Sequence, residues 1–202
     1  DGNCKWRPFQ IAFLLMDINS IIDDESPERN IVDLIWFPTG GGKTEAYLGL
    51  TAFTIFYRKL AHPENSNGTA VIMRYTLRLL AAQQFTRAAT LICACEYIRQ
   101  DCVQKRHKYP AYPLGKDPIT IGLWIGGAHI PNKNEDATYH LKKLQNVSNH
   151  FYVRNEKERH NKFQVLKCPW CGTKMVKDDK GGRLVGEWGY SMRGKHFYMF
   201  CP

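Results

Sequence analysis

Apolar side chains fall along this chain in two kinds of run. From Pro8, the sequence Phe9-Gln10-Ile11-Ala12-Phe13-Leu14-Leu15-Met16 continues to Ile18, Ile21 and Ile22. A proline suits the first turn of a helix, so the spacing predicts one from Pro8 that ends in the polar stretch 23–30. Ile31-Val32-Asp33-Leu34-Ile35-Trp36-Phe37 is the other kind: short, β-rich and almost uninterrupted in its apolarity. That is the pattern of a strand buried on both faces of a parallel sheet. The same reasoning predicts further strands over 70–74 and 119–125 and helices over 44–60, 77–100 and 135–147. Residues 62–69 and the basic, proline-bearing stretch 105–118 read as connectors. The alternation implies right-handed crossovers and a three-layer α/β sandwich with a mainly parallel sheet, over residues 1–150. From about residue 163 the texture changes to short β-like runs, turn glycines and cysteines, which makes 151–202 a small inserted module.

Between the first expected strand and the next expected helix stands Phe37-Pro38-Thr39-Gly40-Gly41-Gly42-Lys43-Thr44. A strand–loop–helix setting turns this pattern into a candidate phosphate loop. After Thr39, itself a candidate for the nucleotide site, the three glycines leave the backbone free to approach a triphosphate, with successive N–H groups pointing inward. The helix that follows adds the positive end of its dipole. Lys43 would reach the β- and γ-phosphates of ATP, and the Thr44 hydroxyl would ligate Mg²⁺. The first position of G-x-x-x-x-G-K-[ST] holds Phe37 instead of glycine. Lys59, at the far end of the following helix, is expected to matter little for nucleic-acid binding.

Pro38-Thr39-Gly40-Gly41-Gly42-Lys43-Thr44 resembles motif I of the superfamily-2 helicases and translocases, and other features fall in the order that superfamily uses. Trp6-Arg7-Pro8-Phe9-Gln10 looks like its aromatic-glutamine element, in which the amide of Gln10 would pair with adenine as donor and acceptor. Arg78-x-Leu80-x-x-Gln83 resembles motif Ia, which holds a nucleic-acid backbone, although Thr76-Leu77 replace the usual Pro-Thr before the arginine. Gly126-Gly127 stands where the superfamily has its phosphate-contacting glycine pair. Residues 36–48 and 73–80 further resemble the DrmA family, helicase subunits of the bacterial DISARM anti-phage system. The resemblance implies a RecA-like fold and an ATP-driven DNA motor. It also implies a second motor domain in the same protein and a DrmB-like partner subunit.

Of the seven cysteines, Lys167-Cys168-Pro169-Trp170-Cys171-Gly172 forms a knuckle in which two thiolates at i and i+3 can face one tetrahedral Zn²⁺. Cys201-Pro202 looks like the start of the opposing knuckle, with His160, His196 or a cysteine beyond the chain as fourth ligand. A redox C-x-x-C lacks the strand-to-helix setting it needs. Cys93, Cys95 and Cys102 fall on the 77–100 helix or just after it and read as core or inert thiols. An odd count at irregular spacing, without an export signal, argues for a reducing cytosol rather than a disulfide framework, and leaves the sequons at Asn67 and Asn146 without meaning.

Charge sharpens the picture. The chain of 202 residues carries 28 basic and 19 acidic side chains, a net +9, and the first hundred residues balance at ten of each. The excess lies wholly in the second half, which points to a polyanionic partner, DNA by the resemblance above. Lys162, Lys167, Lys174, Lys177, Lys180, Arg183, Arg193 and Lys195, interleaved with Trp170, Trp188, Tyr190 and Tyr198, read either as a nucleic-acid surface or as a solvated face over a small aromatic core. No strand ending in Asp-Glu follows Lys43, so the carboxylates that hold Mg²⁺ and activate water are expected outside this chain, which reads as an excerpt that binds ATP without turning it over. Two other functions stay open at this point: a non-motor P-loop enzyme, and a zinc-containing nucleic-acid adaptor with a vestigial loop.

Overall fold

A computed structural model describes residues 5–38, 40–103, 114–127, 129–149, 161–176, 178–180, 183–186 and 188–202. Its helices lie where the apolar spacing predicts them: α1 Pro8–Ile22, α2 Lys43–Ala61, α3 Arg78–Val103 and α4 Asn134–Asn149. Pro8 takes the first turn of α1, where its missing N–H has no intrahelical partner to lose. The cap of α2 is Gly42, whose left-handed backbone (φ 92°) would strain any residue with a Cβ. Arg58 and Lys59 stand in the last turn of α2, where cations favour the helix dipole.

The parallel sheet does not form. The described strands make two antiparallel hairpins, β1 Asp178–Lys180 with β2 Arg183–Val185, and β3 Tyr190–Arg193 with β4 His196–Met199. Residues 31–37, 70–74 and 119–125 carry no strand pairing. The chain is therefore mostly helical, and the expectation of a RecA-like three-layer sandwich with a mainly parallel sheet is overturned. An apolar run marks a segment that would gain from burial, but a strand needs a neighbour to take up its backbone N–H and C=O groups. Among the described residues no strand pairs with these runs, and several of their side chains stand in solvent: Val32 is 93% exposed, Trp36 90% and Trp124 97%.

The chain divides into two compact units, Asp1–Arg74 with Ala94–Thr120, and Tyr75–Cys93 with Ile121–Pro202. In the first, α1 packs on α2. Trp6 lies so close over Gly49 that a Cβ there would meet the indole at 2.7 Å. Phe13 and Tyr47 meet edge to face at 5.8 Å, and the Tyr57 hydroxyl donates to the Ile22 carbonyl at 2.7 Å. A second set of contacts ties residues 115–119 to the end of α3. Glu96 accepts from Arg99 at 2.6 and 2.7 Å and from the Ile119 N–H at 2.8 Å, while Arg99 donates to the Gly115 carbonyl at 3.0 Å. Burial pushes the Glu96 carboxyl up, but Arg99, Ile119 and Gln100 together outweigh it and hold it at about 2. Lys59 is buried, and its Nζ donates to the Asp117 carbonyl at 2.9 Å.

The core of the second unit joins Ala137, Leu141 and Leu144, on one face of α4, to Phe163, Met175 and Tyr190. The Phe163 ring lies 4.7 Å from that of Tyr190 and 4.4 Å from that of Phe197. The Tyr190 hydroxyl donates to the Val165 carbonyl and accepts from Asn161 Nδ2 at 3.0 Å, so the buried phenol is satisfied. Burial pushes its pKa up to about 12.

Candidate phosphate loop and metal-binding knuckle

The phosphate loop belongs to the first unit, and its glycines are needed for different reasons. Gly40 and Gly42 take φ of 80° and 92°, a region closed to most side chains. Gly41 is needed for space: its N–H donates to the Pro38 carbonyl at 3.1 Å, and a Cβ would come 2.9 Å from the Phe37 ring. Thr39 lies outside the described residues. Phe37, at the departing first position, stacks on Phe9 with ring centres 3.9 Å apart and so fastens the loop to α1. Gly42, without a side chain, offers no side-chain cap to the start of α2. Lys43 Nζ rests on the loop itself, donating to the carbonyls of Phe37 at 2.5 Å and Pro38 at 3.1 Å. Thr44 follows in the same first turn.

Gln10 is brought to the loop, where its amide makes two hydrogen bonds. Its Oε1 accepts from the Arg7 N–H and its Nε2 donates to the Gly42 carbonyl, both at 2.8 Å, and the residue is 5% exposed. Arg7, which sequence reasoning passed over, donates from Nη1 to the Gly41 carbonyl at 2.8 Å. Its only sequence signal was its place beside the aromatic-glutamine element.

Arg78, Gly126 and Gly127 belong to the second unit. Arg78 is the first residue of α3; its side chain lies outside the described residues. Gly126 (φ 85°) turns the chain, its carbonyl accepting from the His129 N–H at 3.1 Å. Gly127 lies under Asn132, whose Nδ2 would be 2.5 Å from a Cβ there.

The knuckle is built by its backbone. The Gly172 N–H donates to the Cys168 carbonyl at 2.9 Å and the Cys168 N–H to the Thr173 carbonyl at 2.8 Å, with Gly172 at φ 76°. Two further bonds carry Cys201 to it: the Gly189 N–H donates to the Met175 carbonyl at 2.9 Å and the Phe200 N–H to the Gly189 carbonyl at 3.0 Å. The sulfurs of Cys168, Cys171 and Cys201 all lie within 4.8 Å of one another, and those of Cys171 and Cys201 are 3.3 Å apart. Ligands on one tetrahedral Zn²⁺ at 2.3 Å stand ~3.8 Å apart, so the three fit a single ion. Hydrogen bonds from Thr173, then from Cys201 and Cys168, hold the Cys171 thiol down at about 6, while sharing with Cys171 pushes Cys201 up to about 12. One thiolate is thus already favoured before a cation arrives. Thr90 on α3 donates to the Pro169 carbonyl at 3.0 Å, a support invisible in the sequence. Among the candidates for a fourth ligand, His196 is exposed on β4 and His160 lies outside the described residues. Burial pushes the Cys95 thiol up to about 11, in keeping with an inert core cysteine.

The aromatic residues of the module divide. Tyr190 is core and Trp188 packs against it, whereas Trp170 and Tyr198 are exposed. The Arg193 guanidinium lies 5.5 Å over the Tyr198 ring. Lys177 lies outside the described residues, as do the side chains of Lys180 and Arg183.

Over 181 residues the chain is 42% identical to the DISARM protein DrmA of Bacillus paralicheniformis, a match that takes in 85% of this chain. The chain is close to DrmA. It spans about 15% of that relative's length. No family model and no solved structure matches it. Among the described residues, no helix is long and apolar enough to cross a membrane.

Proposed function

We propose that this chain is the nucleotide-binding part of an ATP-driven DNA helicase or translocase that serves DISARM anti-phage defence. The observation that carries the reading is the loop of three glycines closed by Lys43 on an uncapped helix start, in a chain close to DrmA. ATP phosphates would lie on the amides of Gly40, Gly41 and Gly42 with Lys43, and Mg²⁺ on Thr44. Arg78, Gly126 and Gly127 would hold the DNA backbone, and Cys168, Cys171 and Cys201 a structural zinc. The carboxylates for hydrolysis, a second motor domain and a DrmB-like partner would come from outside this chain.

The test is Lys43→Ala in the full-length protein. Losing the one cation at the β- and γ-phosphates removes a charge-assisted contact of roughly 1.5–3 kcal/mol, so ATP affinity should fall about ten-fold or more. Calorimetry should show that loss with the melting temperature held and ATP hydrolysis abolished. Unchanged ATP affinity would remove the loop from the function.

A further inference from the structure

The β3–β4 hairpin keeps its two faces apart. Tyr190, Met192 and Phe197 turn inward to the core of the second unit. Strand alternation therefore puts Ser191, Arg193 and Tyr198 on the outward face, where the register sets Ser191 opposite Tyr198. The Arg193 guanidinium lies over the Tyr198 ring, which fixes a long cationic side chain in place. Among the described residues no carboxylate pairs with it. Phe200 continues the same face two residues beyond Tyr198, since its N–H bonds to the Gly189 carbonyl in the next step of the ladder. Phe200 immediately precedes Cys201, Trp170 immediately precedes Cys171, and the sulfurs of those two cysteines are 3.3 Å apart. The cysteine cluster thus brings both rings to one end of the module, with Trp170 55% and Phe200 41% exposed. On either side of the knuckle, Lys167 and Lys174 stand opposite each other across an antiparallel bridge, both exposed. Like charges set opposite in this way repel, a cost that an anion lying along them removes.

We propose that this end of the module is a contact for single-stranded DNA, with bases stacking on Trp170 and Phe200 and backbone phosphates on Arg193, Lys167 and Lys174. The proposal rests on the DNA-motor reading above, which holds DNA at Arg78, Gly126 and Gly127, and adds a second surface to it. The chemistry selects the partner. Rings alone would suit any apolar surface, but rings set among cations suit a polymer that alternates base faces with phosphates. A duplex hides its base faces in the stack, so the rings act on a single strand, while the cations act on either form.

The experiment is fluorescence anisotropy on the full-length protein, with one labelled oligonucleotide offered as a single strand and as a blunt duplex. Trp170→Ala and Phe200→Ala should each weaken single-strand binding roughly five-fold or more and leave duplex binding as in the parent. Trp170→Phe keeps a ring and should recover most of the affinity, with the melting temperature of all three variants held. Arg193→Ala and Lys167→Ala should each flatten the dependence of log affinity on log salt by about 0.7 on the single strand. Ring variants that bind the single strand like the parent, while Arg78→Ala weakens it, overturn the proposal and leave the DNA reading standing; the rings would then belong to a protein surface. Equal losses on single strand and duplex also overturn it, because a stacking ring has no base face to meet in a closed duplex. A parent that binds neither form removes both readings.

Discussion

Asp17, on α1, faces Asp33, and one of its carboxylate oxygens is buried without a hydrogen-bond partner. Burial first, then the charge of Asp33 and a hydrogen bond with it, pushes the Asp17 carboxyl from 3.8 up to about 6. A pKa raised in the folded state stabilises the fold fully below about 3.8, and that contribution is lost as pH rises through about 6. Asp17→Asn should therefore melt higher than the parent at pH above 6, by up to about 2–4 °C after allowance for solvent screening. The difference should vanish near pH 4; a constant difference across that range would show that the pair does not titrate this way. At this scale the sequence was legible where a residue's role is local. Gly40 and Gly42 announce positive φ, and Cys168 and Cys171 announce a turn with two sulfurs on one side. It was silent where a role depends on a distant partner. Gln10 meets Gly42 across 32 residues, and its amide satisfies two backbone groups. Asp17 and Asp33 gave no sign of each other at all.

At the scale of elements, helices and the short β runs after residue 163 were legible, and the parallel strands expected before it did not form. A helix satisfies its own backbone, so periodicity and a starting proline suffice to place α1, and the loop lysine to place α2. The runs at 31–37, 70–74 and 119–125 have the side chains of buried strands, yet that pattern states only a wish for burial, which pairing must fulfil. The burial of Lys59 was not legible either, since a cation in a last turn is usually solvated. Here it is buried, and burial, with Arg99 nearby, lowers its pKa even as it serves the Asp117 carbonyl. Lys59→Ala should leave that carbonyl without its donor and the stem's space unfilled, destabilising the first unit by about 1–3 kcal/mol. Denaturant unfolding monitored by circular dichroism would measure it, and a variant as stable as the parent would mean the contact contributes nothing net.

Across the whole molecule, the three-cysteine cluster is one long-range tie within the second unit, joining the knuckle to Cys201 thirty residues beyond Cys171. The full-length protein should carry one zinc per chain, and Cys171→Ser should lose it. With free zinc at a hundred times its dissociation constant, binding adds ~2.7 kcal/mol to the folded state, so a chelator should lower the melting temperature of the parent and not of Cys171→Ser. Elemental analysis finding no zinc, or melting indifferent to the chelator, would remove the ion from the fold. The exposed runs around Trp36 and Trp124 have a different consequence. An extended backbone with open hydrogen-bonding groups and apolar side chains is a template for the backbone of another copy. Association between copies should therefore rise with concentration, and light scattering across a dilution series would measure it.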